Sequence, residues 1–190
     1  MINEKRTFRL PPQAVTLCDF PADGPILDIG GGGEGVIGQL KGSNVVSIDM
    51  LPRELAEAPA GPLKIVMDAR ELKFLNCTFN TVTAFFSFMF IHPYDHARVF
   101  HEICRVLGPK GQFLLWDVEI PQCPEPERDM LVFPLQIHLP STVINTGYGT
   151  PYTENAIQMG NYRKLAEISG LQMVEQSLSG QTFFCRFKKP

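Results

Sequence analysis

The sequence predicts an α/β fold: a doubly wound, mostly parallel sheet closed by a C-terminal antiparallel hairpin, in a single domain. Three observations carry this. Short apolar runs alternate with helical patterns through the first two thirds of the chain, which is the signature of right-handed βαβ units. The runs are continuously apolar instead of alternating, as in strands buried on both faces. Near the end, two strand-like runs are separated only by Ser179-Gly180, a tight-turn signal. At 190 residues the chain suits one domain with a full core, so residues 1–190 are read as one unit.

Five runs are strand candidates in order: 25-PILDI-29, 44-NVVSID-49, 63-LKIVMD-68, 81-TVTAFFS-87 and 112-QFLLWDV-118. Helices are expected at 34–41, 52–58 and 95–107. In the last, Ala97, Phe100, His101, Cys104 and Leu107 form a stripe that ends at Gly108-Pro109. From Glu119 the period is lost and prolines accumulate (Pro121, Pro124, Pro126, Pro134, Pro140). Within that stretch, 131–140 and 142–149 alternate enough to suggest an extended hairpin. A helix over 155–168 and strands over 171–178 and 181–188 complete the chain, giving seven strands in the sheet. The organisation is thus a core over 25–118, an excursion over 119–152, and a C-terminal helix and hairpin over 155–190.

Composition narrows the function. An apolar share of 44% and a charged share of 19% describe an ordinary globular protein. A net charge of −3 gives no electrostatic case for nucleic acid. The five cysteines form no Cys-x-x-Cys pair, which suggests reduced thiols and a cytoplasmic setting. The N-terminal stretch is polar and basic with no apolar region of signal-peptide type. The longest apolar run, 81–91, is far short of the ~20 residues that span a bilayer, so no membrane association is expected.

The informative motif is 28-DIGGGGEG-35. Glycine loses more freedom on folding than any other residue, so four in a row are a costly choice for a strand-to-helix turn that needs one or two. A glycine turn at this place lets backbone approach a ligand closely, at the helix N-terminus. Asp49 ends the second strand, 21 residues after Asp28, and Asp68 ends the third, 19 further on. All three acids therefore fall on the carboxyl rim of the sheet, where open α/β sheets bind ligands. Helix capping and turn chemistry are the ordinary uses of such acids; three in register after a glycine loop favour a site.

In these residues the chain resembles the class I S-adenosylmethionine-dependent methyltransferases, over 25–118 and again from the 155–168 helix to the end. The resemblance implies a Rossmann-like, seven-stranded sheet and S-adenosylmethionine as cofactor. It implies that Gly30, Gly31, Gly32 and Gly33 hold the methionine and ribose parts and that Asp28 helps bind the amino group. Asp49 would take the ribose hydroxyls, Met50 pack on the adenine, Asp68 accept from its amine and the Ala69 N–H reach the ring. Phe85 and Phe86 would line the methionine side. Glu34 stands where a third glycine is expected, with Gly35 one place late.

The acceptor side is read from what is left. His92 sits on the loop after the fourth strand and Tyr148 in the excursion, both as candidate substrate contacts; capping for the first and packing for the second are equally open. Asp117 and Glu119 are read as solvent-facing or loop-anchoring groups, Arg186 and Lys188 as a solvated face. No acid ends the fourth strand to complete a magnesium site, so no metal is expected. With only 24 residues before Pro25, too few for an N-terminal helical cap, 119–152 is expected to cover the pocket or to form a homodimer contact. A small-molecule acceptor comes first, its atom (O, N, S or C) open. Two other readings share the glycine loop: a nicotinamide-dependent oxidoreductase, and a non-catalytic cofactor-binding subunit that supports a partner.

Overall fold

The computed structural model describes residues 6–121, 129–151 and 157–190. Cys123, Pro124, Pro126 and Tyr152 lie outside the described residues. In order, the strands are β1 (Thr7–Arg9), β2 (Gln13–Thr16), β3 (Ile26–Ile29), β4 (Val45–Asp49), β5 (Leu63–Val66), β6 (Phe79–Phe85), β7 (Leu107–Val118), β8 (Met130–His138), β9 (Val143–Pro151), β10 (Gln172–Ser179) and β11 (Thr182–Lys188). The helices are α1 (Val36–Lys41), α2 (Pro52–Glu57), α3 (Pro93–Val106) and α4 (Met159–Ser169).

Seven strands form the main sheet in the order β10-β11-β7-β6-β3-β4-β5. The strands from β3 to β7 pair in parallel, and β11 turns antiparallel against both β7 and β10. The chain steps outward from β3 through β4 to β5, then returns to the other side of β3 with β6. That reversal opens a crevice beyond the carboxyl ends of β3 and β6. The central strands are buried on both faces, with all four residues of β3 inside and Phe113, Leu114 and Leu115 of β7 fully enclosed. At the edge β5 departs from that pattern: Leu63 and Val66 are exposed.

Helix α3 forms where its period predicts, but its inward stripe is not the expected one. His96, Val99, Phe100, Ile103 and Val106 are buried, whereas Ala97 and His101 face solvent. The two stripes differ by one residue, a rotation of about 100°, and the larger side chains Val99, Ile103 and Val106 decide it. His96 is admitted because its Nε2 faces the carbonyls of Phe88 (3.1 Å) and Ile91 (2.9 Å), so the ring is buried with a partner.

The excursion is a hairpin, as its alternation predicts, but it is part of a second sheet. β8 pairs antiparallel with β9 on one edge and in parallel with β1 and β2 on the other. The segment before Pro25 is therefore not spare chain: it supplies two short strands, broken at Pro11-Pro12, that complete this sheet. Leu131, Phe133, Leu135 and Ile137 of β8, two residues apart, are all buried against the main domain. Among the described residues no helix is long and apolar enough to cross a membrane.

Candidate functional site

The turn after β3 shows why so many glycines stand together. Gly30 (φ 71°), Gly33 (φ 56°) and Gly35 (φ 54°) adopt the left-handed conformation that side chains resist. Gly31 and Gly32 are needed for space instead. A Cβ on Gly31 would lie 2.6 Å from Asp28 Oδ2 and 2.8 Å from Ser47 Cβ; one on Gly32 would lie 2.5 Å from Glu54 Cβ and 2.8 Å from Asp49 Oδ2. Gly35 caps α1, so the loop is one residue longer than the usual pattern. Glu34, the extra residue, accepts hydrogen bonds from the hydroxyls of Thr146 and Tyr148 (3.0 Å for the latter) on β9. It joins the glycine loop to the covering sheet.

Beyond the ends of β3 and β6 lies a cleft of about 610 Å³. Its walls gather Asp28, Gly30, Gly31, Gly32, Gly33, Asp49, Met50, Asp68, Ala69, Phe85 and Phe86, together with His92 and Tyr148. These were read from separate stretches of sequence and stand in one cavity.

The acids differ sharply in environment. Asp28 is buried, accepts a hydrogen bond from Thr83 Oγ1 (2.7 Å), and has its pKa pushed up to about 7, first by desolvation and further by the charge of Asp49. Asp49, half-buried, is also raised, chiefly by desolvation and against hydrogen bonds from the backbone, Leu51 N–H among them at 2.9 Å. Asp68 goes the other way. Arg70 hydrogen-bonds both its oxygens (2.8–3.0 Å) and holds the carboxyl below its ordinary value. The same guanidinium reaches Asp95 at 3.0 Å, tying the chain after β5 to the first turn of α3.

His92 both lines the cleft and caps α3, its Nδ1 accepting from Tyr94 N–H at 3.4 Å. Tyr148 packs as expected, its ring near Phe86 (5.7 Å), Phe133 (5.8 Å) and Phe90 (6.2 Å), and it also lines the cleft. Glu119 anchors α4 by accepting from Met159 N–H (3.0 Å). Asp117 is not solvent-facing: it is fully buried, accepts from Met89 N–H (3.2 Å) and has its pKa raised by desolvation to about 7. It anchors the loop that carries Phe86 to Phe90.

Some of the wall had no individual sequence signal. Ser87 is buried, lines the cleft, and its hydroxyl has no partner among the described residues. It stands out only as a small polar residue within an aromatic run. Glu54 on α2, Arg70 and Phe90 complete the rim. Phe86 holds a positive φ of 48° although it is not glycine; such strain concentrates at functional sites. No group of three or more potential metal-ligating side chains occurs among the described residues.

Residues 27–115 match the family model described as "Methyltransferase domain". No curated protein matches the sequence. Among solved structures, an S-adenosylmethionine-dependent methyltransferase from Methanosarcina mazei superimposes with a TM-score of 0.65 at 18% identity, covering 90% of this chain and 94% of its own. One from Mesorhizobium loti gives 0.63 at 12% identity, with 90% and 94% covered. The [4+2]-cyclase SpnF gives 0.60 at 13% identity, with 88% and 76% covered. At these identities the likeness is one of fold, and the cyclase shows that the fold hosts more than one chemistry.

Proposed function

We propose that this protein methylates a small, mostly apolar acceptor, on the premise that the chain is a class I S-adenosylmethionine-dependent methyltransferase, a reading supported by the methyltransferase-domain model that matches residues 27–115. The observation that carries the proposal is the cleft at the β3–β6 switch point, which gathers the thirteen residues named above as candidates for cofactor or substrate binding. The cofactor fits what is there. Gly31 and Gly32 leave a cradle that a Cβ would fill, and the buried Ser87 hydroxyl lacks a partner on its wall.

In this reading the Gly30–Gly33 backbone and Asp28 hold the methionine and ribose parts, and Asp49 accepts the ribose hydroxyls. Met50 and the Ala69 N–H take the adenine, with Asp68 keeping for its amine only the acceptor capacity that Arg70 leaves. The bound sulfonium supplies an already activated methyl group. The chain therefore has little chemistry of its own to do: it aligns the acceptor for in-line displacement and keeps water out. Phe85, Phe86 and Phe90 form the apolar wall for that task, with His92 and Tyr148 as its polar points. The sheet of β1, β2, β8 and β9, which includes most of 119–152, is the cover; its outer strand β9 is also the surface where a second copy would join. Four free cysteines among the described residues fit a cytoplasmic setting.

A dinucleotide reading is disfavoured by the loop's donors. The N–H groups of Gly30 and Gly31 go to the Ile48 carbonyl, that of Gly33 to Glu54 and that of Gly35 to Gly32. Few remain for a pyrophosphate, and Glu34 sets a carboxylate at that helix end. The test is calorimetry with S-adenosylmethionine, its demethylated product and NADH, followed by a metabolite extract supplied with radiolabelled methyl donor. Binding of both sulfur nucleosides and label in a small molecule is the expected result. Tight binding with no label anywhere would promote a non-catalytic role, and NADH binding alone would overturn the family reading of the site.

A further inference from the structure

We infer that Glu34 selects the acceptor, and that the acceptor carries a positively charged amine. This rests on the methyl-transfer reading of the same cleft and names its substrate class. Glu34 lines the cleft at the boundary between the glycine loop and the covering sheet, on the side where Tyr148 approaches Phe86 and Phe90. Its carboxylate is held from behind by two hydroxyl donors, Thr146 on Oε1 and Tyr148 on Oε2. A carboxylate offers about four acceptor positions, so two remain free. The Tyr148 phenol is held above its ordinary pKa, by burial first and then by the Glu34 charge. It stays protonated and keeps donating, which fixes the carboxylate in place.

An acid fixed among aromatic faces is the combination that recognises an ammonium, through a charge-assisted hydrogen bond on one side and ring quadrupoles on the other. The rest of the cleft reinforces the sign. Six carboxylates line it, and its one guanidinium, Arg70, is occupied by Asp68 and Asp95. With Asp28, Asp49 and Asp68 assigned to the cofactor and Asp95 paired with Arg70, Glu34 and Glu54 are left to set a negative sign for the acceptor, which favours a cationic one over an anionic one.

The test incubates the full chain with radiolabelled methyl donor and a metabolite extract, then separates small molecules by charge on a cation exchanger at neutral pH. Label in the retained, cationic fraction is expected. Glu34→Gln, which removes the charge but keeps the shape, should raise KM for that acceptor by about 10- to 100-fold. Its affinity for S-adenosylmethionine by calorimetry should stay within about twofold of the wild type, since the acid is assigned to the acceptor. Tyr148→Phe, which leaves the carboxylate, should lower the rate but keep label in the cationic fraction. Label confined to neutral or anionic products overturns the inference while leaving methyl transfer intact. So does a Glu34→Gln variant that loses cofactor affinity in step with KM, because the acid would then belong to the cofactor. No label in any fraction removes the inference together with the function it rests on.

Discussion

Gly31 states the logic of the site at the scale of one residue. It sits where its own missing Cβ lets Asp28 and Ser47 close up beneath the loop. Gly31→Ala should therefore cost about 1–3 kcal/mol of stability and distort the cradle, read as a lower urea midpoint together with weaker S-adenosylmethionine binding. An alanine variant unchanged in both would mean the loop tolerates what its geometry forbids. Asp49 makes a different claim, since it is held by backbone N–H groups at the end of β4 and already strains against desolvation. In the proposed binding mode Asp49→Ala removes the acceptor of the ribose hydroxyls, an expected loss of about 1–3 kcal/mol in cofactor binding that calorimetry would register with little change in folding. These residues were legible in the sequence because their chemistry is local: glycine needs, and acids at strand ends, are fixed by position along the chain. Ser87 and Arg70 were not, because their roles come from what the fold sets opposite them.

Elements were legible to the extent that their pattern is self-contained. The five core strands, α3 and the final hairpin follow from apolar runs, one long helical period and Ser179-Gly180. The inward stripe of α3 lies one position from the one its pattern predicts, because His96 counts as polar in sequence but finds two carbonyls once folded. β1 and β2 gave no sign at all, being three and four residues long and defined by their partner β8. Asp117, at the end of β7, shows what such context does energetically. Its pKa stands at about 7 in the fold against an ordinary 3.8, so between those values the folded chain holds a proton that the unfolded chain has lost. Stability from this group is present below about pH 4 and declines as pH rises through 7. Asp117→Asn keeps an acceptor for Met89 N–H without a proton to lose. Without ligand, the wild-type melting temperature should fall between about pH 4 and pH 7, and the variant's should fall less. Parallel profiles for the two proteins would show that the proton resides elsewhere.

At the scale of the whole molecule, two sheets with different tasks meet around one cleft. The seven-stranded sheet and its loops hold the wall of the cleft that carries Asp28, the glycines, Asp49 and Asp68, and the bulk of the core. The sheet of β1, β2, β8 and β9 covers it, packed through Phe133 and Tyr148 on Phe86 and hydrogen-bonded through Thr150 to the Met89 carbonyl (2.9 Å). Its only described polar tie to the glycine loop is Glu34, bonded to Thr146 and Tyr148. Smaller packed units commonly open independently of the main core, so amides of β8 and β9 should exchange with solvent faster than those of β3, β6 and β7. If the cofactor binds along the glycine loop as proposed, the Glu34 carboxylate at the end of that loop carries the effect to β9. The cover should then gain protection although the residues proposed to bind the cofactor lie almost wholly on the strands and loops of the main sheet. Hydrogen exchange read by mass spectrometry, with and without S-adenosylmethionine, measures this directly. In Glu34→Ala the cofactor should still protect the ends of β3 and β4, while the added protection of 143–151 disappears. If β8 and β9 respond equally in both proteins, the cover is coupled through its other contacts, the packing on Phe86 and the Thr150–Met89 hydrogen bond, and not through Glu34. If they respond in neither, binding and covering are separate events, and the cover must be closed by the acceptor.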